Sequence, residues 1–238
     1  GLFYGTTYFG GANHIGTIFS FNPATNALTG LASFDGTNGS YPQSSLTLGS
    51  NGLFYGTAQF GGANDRGTIF SFNPATDALT KLADFNGTNG SYPQASLTPG
   101  SGGLFYGTAS FGGAGDGGTI FSFNPATDAL TKLADSGGHP TASLTLSSNG
   151  LFYGTASYGG TDDQGAIFSF NPATNTLTGL ADFNGTNVAN PIASLNPGSN
   201  GLFYGTALYG GENTCGRTSC GTIYSFNPTT NVLTKLAD

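Results

Sequence analysis

Gly52-Leu53-Phe54-Tyr55-Gly56-Thr57, followed after a short gap by Gly67-Thr68-Ile69-Phe70-Ser71-Phe72-Asn73-Pro74, is the stretch on which the fold turns. The string G-L-F-Y-G-T begins again at Gly1, Gly103, Gly150 and Gly201, so the spacing is 51 residues three times and 47 once. Each unit passes the same stations. After G-L-F-Y-G-T comes a Gly pair (Gly61-Gly62 here), a variable loop, G-[TA]-I-[FY]-S-F-N-P, a turn, and L-T-x-L-A. A polar linker of the type F-N-G-T-N-G-S-Y-P and a brief S-L-T or S-L-N run complete the unit. The repeats occupy 1–51, 52–102, 103–149, 150–200 and 201–238 of a single domain, 1–238.

Four short strands are predicted per unit. Leu53 to Tyr55 and Thr68 to Phe72 are aromatic and β-branched runs bounded by Gly and Pro. Leu79 to Ala83 alternates apolar and polar, and Ser96 to Thr98 is a brief fourth strand. Asn73 to Asp77 is a tight turn, because Pro presets φ and Asn and Asp bond their own backbone. No window carries the 3.6-residue period of a helix, so the chain is all-β. Propeller blades of four strands repeat at roughly 40 to 50 residues, longer than a β-helix coil. The expectation is a five-bladed β-propeller with S-L-T innermost, then L-F-Y, T-I-F-S-F and L-T-x-L-A outermost, a kelch-like blade.

Composition narrows the function. Aromatics are 13% and hydrophobics 37% of the chain, enough for a real core, whereas a disordered chain is poor in both. No run approaches the roughly 18 apolar residues of a membrane span. Five scattered cations against twelve acids offer no basic stripe for phosphates, so nucleic acid is excluded as a partner. The chain has no Met and opens at Gly1 inside a motif, which predicts a processed chain or a window on a longer one.

The motif G-L-F-Y-G-T-x-x-x-G-G…G-T-I-F-S-F-N-P resembles the choice-of-anchor tandem repeat of secreted bacterial proteins, whose unit reads G-L-Y-G-T-T, then G-G and G-T-V-F. The extra Phe in L-F-Y departs from it. The resemblance implies an exported or surface-anchored repeat domain and carries no catalytic residues to transfer.

Candidate chemistry is sparse. Cys215 and Cys220 lie in an insertion that lengthens the Gly-pair loop of the fifth unit, and a disulfide across that loop is expected, in an oxidising compartment. His14 and His139 occupy different stations, and no Ser sits in a nucleophile elbow, so no enzyme, metal or cofactor is expected. Asp65, Asp116, Asp162, Asp163 and Glu212 share the loop between second and third strands; the four aspartates are weak calcium candidates against a reading as turn-forming rim residues. Asn38, Asn86, Asn89 and Asn184 begin N-x-[ST] triplets, each also a turn-making Asn-Gly. Phe9, Phe60, Phe111, Tyr158 and Tyr209 precede the Gly pairs and could serve as one sugar-stacking shelf per blade, although the lack of Trp counts against a lectin.

The leading expectation is an extracellular or cell-surface structural scaffold for self-assembly, adhesion or fibre formation, glycan-decorated or not. Charged residues are only 7% of the chain, well below the share that holds soluble domains apart. Its partners would be copies of itself, a neighbouring segment of a longer chain, or glycans. The alternative is a lectin-like propeller with repeated weak sites. One innermost strand is missing from the count, and the expectation is that something fills the place beside Leu2 to Thr6.

Overall fold

The computed structural model describes residues 1–185, 188–211, 214–215 and 218–238, with Thr214, Cys215, Thr218 and Ser219 known by backbone alone. Five antiparallel sheets follow one another along the chain, one for each G-L-F-Y-G-T. In the third sheet Thr98–Pro99, Phe105–Ala109, Thr119–Asn124 and Ala129–Asp135 lie side by side in that order, as the sequence predicts. Helix among the described residues amounts to two 3-10 turns, Ser101–Gly103 and Ala114–Asp116.

Two strands differ from the sequence reading by more than a single residue at an end. The second strand runs on through Gly-Thr-Ala, to Ala58 in the second unit. The innermost strand is only Thr98–Pro99, because Ser96 is tied to neighbouring units instead of its own ladder. Its N–H donates to Ser143 Oγ at 2.9 Å and its Oγ accepts from Ser45 N at 2.9 Å.

Each later sheet borrows its first strand from the unit before it. Thr47–Leu48, from the first unit, pairs with Phe54–Ala58 in the register Thr47↔Tyr55 and Leu48↔Phe54. The first sheet has three strands, Phe3–Thr7, Thr17–Asn22 and Ala27–Ser33, and no described strand lies on the inner edge of Phe3–Thr7. Within this chain the place beside Phe3–Thr7 is left to a segment from outside residues 1–238 or to a second copy, which the expectation also allowed. In the fifth sheet Phe203–Tyr209 pairs with both Asn196–Pro197 and an added segment, Ala189–Pro191.

Within every sheet one cross-strand pair sets the local shape. Gly56 sits opposite Phe70, and the same pairing recurs at Gly5↔Phe19, Gly107↔Phe121 and Gly154↔Phe168. The Phe ring folds over its glycine partner, so a β-carbon on Gly56 would come within 2.5 Å of the Phe70 ring. This explains the glycine inside G-L-F-Y-G-T, since only glycine leaves room for the ring on a strand.

The fifth sheet breaks the pattern with Tyr224, fully buried over Gly205 and against Phe183 at 5.2 Å. Its hydroxyl has no hydrogen-bond partner among the described residues, and burial pushes its pKa far above the usual phenol value. An unsatisfied buried hydroxyl costs about 1–3 kcal/mol. Tyr224→Phe is therefore expected to raise stability by about 1 kcal/mol in urea melts. The folded phenol holds its proton to higher pH than the unfolded one, so stability is intact below about pH 10 and falls above it. The variant should flatten that alkaline limb; an unchanged limb and midpoint would refute the account.

Sheet packs on sheet through two unlike faces. Four apolar clusters join first to second, second to third, third to fourth, and fourth to fifth sheets. In each, a Tyr and Ile face of one sheet (Tyr55, Ile69) meets a Phe face of the next (Phe105, Phe121, Phe123). The Tyr55 and Phe105 rings stand 5.0 Å apart, and the equivalent pairs Tyr4–Phe54, Tyr106–Phe152 and Tyr153–Phe203 lie at 4.9, 4.6 and 4.8 Å. A threonine hydroxyl staples each junction: Thr6, Thr57, Thr108 and Thr155 donate to the carbonyls of Ser44, Ala95, Ala142 and Ala193.

Among the described residues no cluster joins the fifth sheet to the first. The Phe face of the first sheet lies open, with Phe3 65% and Leu28 69% exposed, where the equivalent Phe105 and Phe152 are 4% and 1%. The Tyr and Ile face of the fifth lies open too, with Ile223 47% and Leu236 52% exposed against 0% for Ile18, Ile69, Ile120 and Ile167. The all-β array of repeated four-stranded sheets stands; closure of five sheets into a ring is not seen in the packing of the described residues.

Candidate functional site

The end of each second strand and the linker from the preceding unit meet at one edge of the array. Ser40 bridges Phe60 and Ser91 bridges Phe111, so each linker is laid across the next sheet just before its Gly pair. The residue after the bridge then falls between two successive rim aromatics. Tyr41 stands 5.8 Å from Phe9 and 5.9 Å from Phe60. Tyr92 stands 5.1 Å from Phe60 and 5.9 Å from Phe111. His139 stands 4.6 Å from Phe111 and 5.6 Å from Tyr158. With Tyr8, 4.7 Å from Phe9, these rings form an unbroken ribbon across four units.

The ribbon contains four of the five shelves expected from the sequence, Phe9, Phe60, Phe111 and Tyr158, and excludes Tyr209. The corresponding linker residue there is Asn190, which has no ring to bridge from Tyr158. Sequence reasoning missed Tyr41, Tyr92 and His139, whose signal is an aromatic residue directly before Pro in three linkers.

All four linker residues have positive φ, 54°, 53°, 50° and 52° for Tyr41, Tyr92, His139 and Asn190. Asn adopts this region readily, whereas a bulky side chain there costs roughly 1–2 kcal/mol. Aromatic contacts of about 0.5–1.5 kcal/mol each, two per linker ring, are of the size to offset it. His139 is fixed further by Nδ1–H donating to the Ser110 carbonyl at 2.9 Å. Phe111, Gly137, His139, Tyr158 and Asp163 line a shallow hollow of about 360 Å³.

The loop acids close their own loops. Asp65, Asp116 and Asp163 accept from the N–H of Gly61, Gly112 and Gly159 at 2.9, 2.7 and 2.7 Å. A second acid, at the end of the outer strand, holds the loop from the other side: Asp84 accepts from Ala63 N and Asp135 from Ala114 N. Lys132 and that backbone N–H hold the Asp135 carboxyl below the usual range. Asp162 is exposed, and Glu212 lies outside the described residues. No three metal-ligating side chains gather among the described residues.

Among the Asn-Gly triplets, Asn38 and Asn89 are half-buried and hold turns, accepting from Asp35 N and Asn86 N. Asn86 and Asn184 are exposed. Cys215 sits on a two-rung ladder, Thr214↔Ser219 and Cys215↔Thr218, and its side chain, on which the expected bond to Cys220 depends, lies outside the described residues.

Solved structures share the fold at low identity. TolB from Acinetobacter baumannii matches at 14% identity with a TM-score of 0.59, over 94% of this chain and 49% of that one. A nidogen/laminin complex matches at 13% and 0.63, over 100% and 78%. The periplasmic gluconolactonase of Pseudomonas aeruginosa matches at 15% and 0.64, over 99% and 66%. The chain thus spans about half the length of TolB, and the common fold is propeller-like.

The gluconolactonase corrects one expectation. Exclusion of enzyme activity on the sequence does not hold, because the fold is shared with an enzyme, although identity this low shows the fold alone and no activity. No curated protein matches the sequence. The tandem-repeat reading stands, though not under the choice-of-anchor description: over residues 1–218 the chain matches, and belongs to, the Gloeobacter/Verrucomicrobia repeat family.

Proposed function

We propose that the chain is a structural scaffold of the extracellular space or cell surface, five propeller blades whose work is to associate with units of their own kind in an adhesive or fibrous assembly. The observation that carries this reading is a surface poor in charge, on which every described lysine is paired with an acid. Lys81, Lys132 and Lys235 are each paired with the acid three residues on, Asp84, Asp135 and Asp238, at 2.8–2.9 Å. What faces solvent is mostly Asn, Thr, Ser and Gly, a surface with few charges to hold neighbours apart. A Cys215–Cys220 disulfide belongs to the same reading, since such a bond persists in an oxidising compartment. Sedimentation velocity across a hundredfold concentration range should reveal reversible oligomers. A single monomer peak throughout would overturn the reading.

The aromatic ribbon favours a second reading, a binder of linear glycans stacked along the rim. Affinity electrophoresis in gels loaded with soluble glucans or chitin derivatives should retard the protein. Phe111→Ala, which breaks the ribbon between Tyr92 and His139, should abolish most of the retardation. Equal mobility of both proteins in every gel removes this reading.

A further inference from the structure

The two open faces of the array are unlike each other, and each is a copy of a face that the molecule covers four times over. Phe3, Phe19, Phe21 and Leu28 on the first sheet correspond to Phe54, Phe70, Phe72 and Leu79 on the second. Inside the chain that Phe face is covered by Tyr4, Ile18, Leu31 and Ala32 of the preceding sheet. On the fifth sheet the residues equivalent to these four are Tyr204, Ile223, Leu236 and Ala237. Thr206 repeats the stapling threonines and is exposed, where Thr57, Thr108 and Thr155 are buried.

We infer that the fifth sheet of one copy docks on the first sheet of a second copy, head to tail, in the manner of the four internal junctions. This deepens the scaffold reading, on which it rests, by naming the partner and the surfaces. Tyr204 of one copy meets Phe3 of the next, as Tyr153 meets Phe203 at 4.8 Å within the chain. Ile223 and Leu236 cover Phe19, Phe21 and Leu28, as Ile167 and Leu180 cover the equivalent residues of the fifth sheet. The contact joins different patches on the two copies, so it is heterologous and propagates unless the rotation closes a ring. A head-to-head contact would set Phe face against Phe face, a pairing with no precedent among the four junctions.

Two blocked chains test this. The head variant carries Phe3→Asp and Leu28→Asp; the tail variant carries Ile223→Asp and Leu236→Asp. All four positions are exposed, so both variants should keep the wild-type melting curve. Should a double variant melt early, Phe3→Ser or Ile223→Ser alone takes its place. By sedimentation velocity the wild type should form a ladder of oligomers, and each variant alone should be monomeric. An equal mixture should give a one-to-one dimer and nothing larger, because only the intact tail of the head variant and the intact head of the tail variant remain. Variants that still assemble like the wild type, or a mixture that stays monomeric while the wild type assembles, would overturn the head-to-tail contact and leave the scaffold reading standing. A monomeric wild type would remove both.

Discussion

Phe121→Ala is expected to destabilise the protein by about 3–5 kcal/mol, the range for deleting a fully buried aromatic ring. Phe121 is 0% exposed, lies over Gly107, and meets Phe85 at 5.1 Å across the junction of second and third sheets. Three contacts go at once: the ring on its own strand pair, the ring against the preceding sheet, and the close packing that the cavity would interrupt. Phe19→Ala removes the same ring from the first sheet, where no described sheet covers it and the residue is only partly buried. Stability in a repeat array is a sum of unit and nearest-neighbour terms. The Phe19 variant should therefore lose less than half as much in urea melts. Equal losses would show that the junction between sheets contributes little and that the ring acts within its own sheet.

That contrast also shows what the sequence could and could not convey. Every strand carries its own pattern, Ile-Phe-Ser-Phe in the third and Leu-Thr-x-Leu-Ala in the fourth, so strand identity and order were legible from one unit and confirmed by the other four. Ring closure was not legible. The rotation from one sheet to the next depends on twist and on small offsets in packing, and near-identical units look the same whether their number completes a circle or falls short. The alternation read into Leu-Thr-Lys-Leu-Ala also hid a bulge. The register shifts between Ile120 and Phe121, so Leu133 and Ala134 both reach the junction with the fourth sheet.

The candidate site was half legible for a similar reason. Phe60 and its equivalents stand at a fixed distance from the Gly pair and repeat with it. Their partners Tyr41, Tyr92 and His139 lie in the preceding linkers, vary in residue type, and come into contact only because each linker crosses to the next sheet. The loop acids misled for the opposite reason. Five carboxylates at one station suggested a shared site, whereas Asp65, Asp116 and Asp163 each bond a backbone N–H in their own loop. Catalysis could not be excluded from the absence of a motif, because side chains from several loops can converge without leaving a local signature.

Gly61→Val should cost about 3 kcal/mol, combining positive-φ strain with a backbone clash. Gly61 has φ +80°, and a β-carbon there would lie 2.5 Å from the Gly36 carbonyl oxygen and 2.9 Å from Gly39 Cα. Neither neighbour can yield, since both are backbone. Gly62 N–H donates to that same Gly36 oxygen at 2.8 Å, and a β-carbon on Gly39 would itself come 2.6 Å from Ala58 Cβ. Glycine thus packs on glycine where the linker of one unit crosses the loop of the next, and this contact sets the height at which Tyr41 enters the ribbon. Gly52 provides the control, with the same φ of +80° and no atom within 4 Å of its β-carbon position. Gly52→Val should lose only the conformational part, roughly 1–2 kcal/mol. The difference between the two variants isolates the linker contact, and Tyr41 fluorescence or ring-proton shifts should move in the Gly61 variant alone. Equal midpoints for both would mean that positive φ, and not close approach of the linker, is what the glycine pair provides.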